Sequence, residues 1–256
     1  MRSIGFSTGA LAKGDFRRGI ELQRGDARLR AIELSALRDH ELPSLAAAAR
    51  ELPLDHFEYV SVHAPSKLST FREEEVFDAI AALPAAWSVI VHPELLGDKA
   101  RWRSLGSRLC IENMDNRKTT GRTVDEVAAL FEDYPEAGFC LDLGHARQID
   151  PTMATALRML RSFGSRLRQL HVSEVGPQGE HRPLSVLSVY AFLLVRDHVG
   201  PDCPIIIESV VTENEMAAET RKNEELFPSE IKKSGPDVSF SGALDLLKAA
   251  HAAPGN

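Results

Sequence analysis

Eight short apolar segments recur along this sequence, and a stretch with helical spacing follows each of them. The segments cover residues 3–7, 31–35, 59–63, 87–92, 109–112, 139–143, 167–172 and 204–208. Short apolar runs bounded by turn residues indicate buried strands, and their alternation with helices indicates parallel strands joined by helical crossovers. The pattern therefore predicts an α/β protein built on a parallel sheet.

Two architectures satisfy this alternation, a closed barrel and an open doubly wound sheet. Eight strand–helix units match a (β/α)8 TIM barrel, which typically has about 250 residues. No Gly-x-Gly-x-x-Gly motif follows the first segment, which weakens the doubly wound alternative. We predict one barrel domain over residues 1–227 and a polar C-terminal tail, 228–256, with a short helix near its end.

Composition and charge narrow the classes of function. The net charge of −7 leaves no basic stripe of the kind that nucleic-acid-binding proteins carry, so nucleic acid is not an expected partner. No apolar segment approaches the length of a membrane span, and the N-terminus has no long apolar region. The three cysteines, Cys110, Cys140 and Cys203, form no Cys-x-x-Cys motif and are expected to be buried thiols. We therefore expect a cytoplasmic protein without membrane contact.

Ionisable side chains stand at the carboxyl ends of the predicted strands and in the loops that follow them. Five of the nine histidines are found there, together with five acidic residues: His63, His92, His145, His171 and His181, and Glu33, Glu112, Asp142, Glu180 and Glu208. In a barrel these strand ends meet on one face, where active sites lie. Imidazole and carboxylate together suit Mn, Zn, Fe or Co. The pattern predicts a divalent-metal site, although each residue could instead cap a neighbouring element.

Six motifs at these strand ends resemble the xylose isomerase-like TIM-barrel superfamily, which includes sugar isomerases and epimerases and endonuclease IV-type enzymes. They are Val-His-Ala-Pro (62–65), Val-His-Pro-Glu (91–94), Ile-Glu-Asn (111–113), Leu-Asp-Leu-Gly-His (141–145), His-Val-Ser-Glu (171–174) and Ile-Glu-Ser (207–209). The resemblance spans residues 3 to 226.

Resemblance to the isomerase and epimerase branch implies one metal ion, held by Glu112, Asp142, His171 and Glu208. Glu112 and Glu208 would also form the catalytic acid–base pair, one removing a substrate proton and the other returning it. His145 would contact the substrate. The first expectation is therefore a divalent-metal-dependent isomerase or epimerase that acts on a sugar or a small hydroxy-carbonyl compound.

Resemblance to the endonuclease IV branch implies additional ions. His63 and His92 would hold a second ion, with Glu112 as a bridge. The alternative function is thus a dinuclear or trinuclear enzyme: a phosphoesterase-like hydrolase with zinc, or an oxidative enzyme acting on a small molecule or peptide with iron.

A third ion in that branch would use His145, His181 and an aspartate two residues before His181. Gly179 stands at that position here, and Glu180 is the available substitute. The departure weakens the prediction of a third ion.

Several further residues are expected to contact the substrate or the partner. Arg182 either binds an anionic substrate group or pairs with Glu180. Glu33 either lines the pocket or positions a neighbour, while Asn113 and Lys118 are expected to orient the substrate.

A homodimer is one expected assembly. The apolar helix over residues 188–199 is either its contact surface or a helix that packs on the barrel. A non-catalytic barrel that binds a partner is the remaining alternative.

Overall fold

Eight parallel strands form a nearly closed barrel, which confirms the predicted (β/α)8 TIM-barrel fold. The computed structural model describes residues 2–228 and 240–252. In chain order the strands are β1 (Ile4–Phe6), β2 (Ala31–Ser35), β3 (Tyr59–His63), β4 (Ser88–Val91), β5 (Leu109–Glu112), β6 (Gly138–Asp142), β7 (Leu167–Val172), β8 (Glu174–Val175), β9 (His181–Arg182) and β10 (Ile205–Ile207). The barrel consists of β1–β7 and β10, while β8 and β9 form a separate antiparallel hairpin.

The barrel strands pair in chain order from β2 to β7, followed by β10 and β1. Between β1 and β2 the sheet is joined by the isolated bridges Ile4–Leu29 and Ser7–Glu33. Gly5 permits this close approach, because a Cβ atom at that position would lie 1.6 Å from the carbonyl oxygen of Ala31. The sheet thereby curves into a nearly closed barrel, and the carboxyl ends of all its strands lie on one face of that barrel.

Helices surround the barrel. They are α1 (Thr8–Ala12), α2 (Phe16–Arg24), α3 (Leu42–Ala48), α4 (Glu73–Ala81), α5 (Lys99–Arg103), α6 (Val124–Asp133), α7 (Leu143–Ile149), α8 (Ala154–Phe163), α9 (Val186–Leu193), α10 (Glu213–Leu226) and α11 (Phe240–Ala252). The tail helix α11 packs against α9 and α10, so α9 serves packing within the chain. The remaining tail residues, 229–239 and 253–256, lie outside the described residues. Among the described helices, none combines the length and the hydrophobicity needed to cross a bilayer.

The strands supply the core. Every residue of β1, β2, β5, β6 and β10 is buried. Cys110 and Cys140 are free, buried thiols that pack with Ile90, and Cys203 is partly buried. Burial of both faces is expected for parallel strands covered by helices.

Local hydrogen bonds shift several elements from their predicted positions. The sequence predicted a loop after β6, but α7 begins directly after this strand, and α1 begins two residues after the end of β1. At α7 the carboxylate of Asp142 accepts a hydrogen bond from the backbone N–H of His145 at 2.6 Å. Pro151 would suit the first turn of a helix, but α8 begins at Ala154, because the side chain of Asp150 accepts hydrogen bonds from the backbone N–H groups of Thr152 and Thr155.

Asp39 joins the loop after β2 to the loop before α4. Its Oδ2 accepts hydrogen bonds from the backbone N–H groups of Ser69 (2.6 Å), Thr70 (2.5 Å) and Phe71 (3.0 Å). Burial would raise the pKa of Asp39, but these backbone hydrogen bonds outweigh it and hold the pKa well below its usual range.

We expect Asp39→Asn to destabilise the fold by about 1–2 kcal/mol at neutral pH, since hydrogen bonds to a charged acceptor are stronger than those to an amide. Because folding lowers the pKa of Asp39, the carboxylate contributes fully above its unfolded-state pKa of about 3.9. This contribution is lost as pH falls toward the lower folded-state value. Urea unfolding should therefore show a difference that shrinks below about pH 4. The exposed Asp55→Asn is the control, and a pH-independent difference would contradict the assignment.

Candidate metal centre

A cleft of about 530 Å³ opens at the carboxyl ends of the strands. Six of the predicted site residues line it: His63, His92, Glu112, His145, His181 and Glu208. Asp142 and His171 are completely buried. A volume of this size matches that of small-molecule sites.

The strand ends position these side chains. His63, Glu112 and Asp142 are the last residues of β3, β5 and β6. His92 and Glu208 directly follow β4 and β10, and His171 is the penultimate residue of β7. Because the barrel strands are parallel, residues far apart in the sequence converge on one face.

Two groups of side chains are arranged closely enough to hold a metal ion each. The first consists of His63, His92 and Glu112, and the second of Glu112, Asp142, His171 and Glu208. Within each group the potential ligand atoms all lie within 4.8 Å of one another. The structure thus brings together the two ligand sets that the sequence predicted, while binding of ions to them stays a prediction.

Glu112 belongs to both groups, and its two oxygens face different partners. Oε2 lies 3.1 Å from His63 Nε2 and 3.3 Å from His92 Nε2. Oε1 lies 3.3 Å from His171 Nδ1 and 3.2 Å from His145 Nδ1. This is the arrangement expected of a carboxylate that bridges two ions.

The donor atoms left without partners fit a cation. Asp142 Oδ2 and His171 Nδ1 are buried and have no hydrogen-bond partner among the residues that the structure describes, although buried polar atoms are normally paired. Nδ1 of His63 lies 2.7 Å from the carbonyl oxygen of Ala64, which leaves Nε2 for the side facing Glu112. The residues present therefore suit a divalent ion bound by nitrogen and oxygen ligands.

Charge within the cluster shifts the pKa values of its members. Burial would lower the pKa of His63 and His145, but neighbouring carboxylates, chiefly Glu112 and Asp142, raise them to about 9 and about 10. Burial opposes ionisation of Glu112, yet the positive charge of nearby imidazoles such as His171 holds its pKa well below the usual range. The carboxylates and imidazoles stabilise one another's charged forms.

Glu208 and His181 differ from the rest of the cluster. Burial, together with the charges of Glu112 and Asp142, raises the pKa of Glu208 to about 8. Burial lowers the pKa of His181 to about 4. Glu208 is also partly exposed to the cleft, with 12% of its side chain accessible. These two groups are therefore held near their neutral forms at neutral pH.

No third ligand set forms among the described residues. His145 and His181 approach with ring centroids 5.5 Å apart, but Glu180 does not join them. Glu180 instead forms an ion pair with Arg182 and accepts a hydrogen bond from the backbone of Gln178 at 3.0 Å. His145 and His181 consequently line the cleft beside the two ligand groups without belonging to either.

Three residues predicted to contact substrate have other partners. Glu33 is fully buried against His171, at 3.0 Å from its Nε2, so of its two predicted roles the structure favours positioning a neighbour. The Asn113 side chain bonds both backbone groups of Asp142, at 2.7 and 3.0 Å, and thereby joins β5 to β6. The exposed Arg182 pairs with the partly buried Glu180. None of the three is among the residues that line the cleft.

Sequence reasoning missed part of the cleft wall. Lys67, Asp115 and Arg117 line it, with Arg117 bound to Asp115 at 2.8 Å through Nε. Lys118, which was predicted to orient the substrate, also lines the cleft and pairs with Glu94 at 2.7 Å. The three missed side chains follow β3 or β5 within a few residues, so their position after a strand end was the signal available.

Comparison with known proteins identifies the fold. No family model matches the chain, and no curated protein sequence matches it significantly. Endonuclease IV from Thermus thermophilus aligns with a TM-score of 0.53 and 18% identity over 97% of this chain and 98% of that chain. The IOLI protein with a bound zinc atom aligns with a TM-score of 0.56 and 12% identity over 98% and 100%.

A fusion of a xylose isomerase-like TIM barrel with 4-hydroxyphenylpyruvate dioxygenase aligns with a TM-score of 0.56 and 14% identity, over 91% of this chain and 45% of that chain. The chain therefore has the fold of the xylose isomerase-like TIM barrels, as its strand-end motifs predicted.

Proposed function

From this fold and the ligand geometry, we propose that the protein is a divalent-metal-dependent hydrolase that holds two ions and cleaves phosphate esters of small molecules. The bridging position of Glu112 carries the proposal, because its oxygens face His63 and His92 on one side and His171 on the other. A single-ion site has no need of the first group. Paired ions about 4 Å apart are typical of phosphatases and nucleases.

Two bound divalent ions would supply Lewis acidity at a phosphoryl oxygen. The chain's own residues would hold these ions and contact the substrate. Glu112, with both oxygens engaged by histidines, holds the ions and is not free to move a proton. His181, whose Nδ1 is fixed by the Ser173 hydroxyl at 2.8 Å, lies at the cleft outside both ligand groups. Because burial lowers its pKa to about 4, His181 is a weak base that stays neutral at neutral pH, and we assign substrate contact to both His181 and His145.

The cleft wall supports an anionic substrate. Lys67, Arg117 and Lys118 all line the cleft that contains the ligand groups, and cationic side chains of this kind bind phosphate groups. Arg117 and Lys118 are paired with acidic neighbours. Lys67 is exposed and has no ion-pair partner among the described residues, which leaves its ammonium group available to a substrate anion.

The net charge led to the prediction that nucleic acid is not a partner. The comparisons do not support this expectation, because a structure named endonuclease IV shares the fold. The substrates tested should therefore include a DNA duplex with an abasic site beside p-nitrophenyl phosphate and bis(p-nitrophenyl) phosphate. If the DNA duplex were cleaved and the two nitrophenyl esters were not, the proposed substrate would be DNA and not a small phosphate ester.

We expect the purified protein to contain about two equivalents of Zn, Mn, Fe or Co per chain, measured by elemental analysis. Chelation should abolish hydrolysis of the nitrophenyl esters, and the same metal should restore it. One equivalent per chain together with no ester hydrolysis would contradict the proposal.

A single-ion sugar isomerase or epimerase is the second candidate. Glu208 favours it, because this carboxyl group of the second ligand group is partly exposed to the cleft, where it can reach a proton on a substrate carbon. Its expected partner Glu112 has both oxygens engaged, which weighs against this function. Solvent deuterium incorporated into a ketose by protein with one ion per chain would favour the isomerase.

A further inference from the structure

We infer that Glu33 is a positioning residue of the metal centre, which holds the proton of His171 on Nε2 and so presents Nδ1 to an ion. The inference rests on the proposed binding of metal and assigns a role to a residue outside both ligand groups. Glu33 lies in the middle of β2, on the far side of His171 from the cleft residue Glu112.

The two ring nitrogens of His171 face different surroundings. Nε2 lies 3.0 Å from Glu33 Oε2. Nδ1 lies 3.3 Å from Glu112 Oε1 and 3.5 Å from Glu208 Oε2, and within the described part of the chain it has no hydrogen-bond partner. Nδ1 therefore lies among the potential ligand atoms of the second group. Nε2 lies against Glu33, a carboxylate that belongs to neither ligand group.

Hydrogen bonds around Glu33 provide the acceptor for a proton on Nε2 of His171. Tyr59 donates its hydroxyl to Gln169 Oε1 at 2.7 Å, which orients the amide so that Nε2 donates to Glu33 at 2.8 Å. Gln169 Nε2 also lies 2.7 Å from His171 Nε2, but an amide nitrogen has only N–H donors and cannot accept a proton from His171. The carboxylate oxygen of Glu33, 3.0 Å from His171 Nε2, is the group that accepts it. A proton held on Nε2 leaves the lone pair of His171 on Nδ1, as a metal ligand requires.

Charge balance gives a second reason for Glu33. The two ligand groups contain three carboxylates, those of Glu112, Asp142 and Glu208. Glu33 is the fourth, so four negative charges would face the four positive charges of two divalent ions. Glu33 is fully buried, and its Oε1 accepts no hydrogen bond from any described residue. A buried carboxylate is costly unless cations lie near it.

The other ligand histidines are held differently. His63 Nδ1 lies against a backbone carbonyl, that of Ala64, and His92 Nδ1 has no hydrogen-bond partner in residues 2–228 and 240–252. Among the described residues, His171 is the one ligand histidine whose outer nitrogen meets a carboxylate. Such a carboxylate orients the ring and raises its basicity as a ligand, and losing one weakens metal binding by about 10–100-fold.

The test is titration of the metal-free protein with Co²⁺, followed by its visible absorption spectrum and by competition with a chelator. We expect Glu33→Gln to weaken Co²⁺ binding by about 10–100-fold and to change the spectrum, because the ligand field at His171 changes. Glu219→Gln is the matched control. Glu219 is a buried carboxylate bonded to Ser209 and Lys222, and its loss should leave affinity and spectrum unchanged.

The double variant Glu33→Gln with Gln169→Glu provides the rescue. A carboxylate at position 169 would lie beside His171 Nε2, so affinity and spectrum should return close to those of the wild type. This variant keeps a buried carboxylate in the same network and carries the test if Glu33→Gln alone does not fold. Unchanged Co²⁺ binding by Glu33→Gln, or a folded double variant that remains more than about tenfold weaker, would overturn the inference. Absence of Co²⁺ binding by the wild type would instead refute the proposed metal dependence.

Discussion

Replacing Glu112 with glutamine is expected to remove both ions at once and to reduce phosphate-ester hydrolysis by about 10³-fold or more, since metal ions contribute several kcal/mol to such reactions. Glutamine keeps the size of the side chain but has a single neutral oxygen. It cannot face His63 and His92 with one anionic oxygen and His171 with the other, as Glu112 does. Elemental analysis and steady-state hydrolysis measure the two effects.

Thermal unfolding separates loss of metal from loss of fold. A ligand that binds only the native state at about 100 times its dissociation constant stabilises it by about 2.7 kcal/mol. Zn²⁺ should therefore raise the unfolding temperature of the wild type and of the Glu219→Gln control, but not that of Glu112→Gln. If Glu112→Gln kept two equivalents of metal, Glu112 would not be a bridging ligand.

Replacing His63 and His92 together with alanine should remove one ion and leave the other. The two side chains belong to the first ligand group, and neither belongs to the second. We expect metal content to fall from about two equivalents to about one, and ester hydrolysis to fall by about 10²–10³-fold, because the second ion alone cannot clamp both reacting oxygens.

The same double variant distinguishes the two candidate functions. A single-ion isomerase would use the second group, so the variant would keep its deuterium exchange at full rate. A two-ion hydrolase would lose most of its activity while retaining one ion. His171→Ala is the reciprocal control, since it removes a ligand of the second group and leaves the first intact. Loss of both ions in the His63/His92 variant would show that the two positions are not independent.

The strands were predictable because their signal is local. Each barrel strand is a short, mostly buried run, and each falls within its predicted segment or one residue beyond it. Parallel strands of one barrel end on one face, so the convergence of His63, Glu112, Asp142 and His171 followed from their positions at strand ends. The short hairpin β8–β9 and the helices α1 and α7 carried no comparable pattern and were missed.

Asp142 shows why sequence left some roles open. The sequence allowed either a helix cap or a metal ligand at this position. In the structure Oδ1 caps α7 through the N–H of His145. Oδ2 is buried, belongs to the second ligand group and has no hydrogen-bond partner among the described residues. Because a carboxylate has two oxygens, the two roles are compatible.

The sequence by itself determined the barrel and the set of strand-end side chains that meet at its carboxyl face, because both depend on the order of short local patterns. Tertiary structure alone decided which atoms face each other. Glu33 reaches His171 across 138 residues of chain, and Arg182 turns to Glu180 instead of the cleft. Such contacts depend on the side-chain rotamers and on the distances between strands around the barrel, which no local pattern in the sequence specifies.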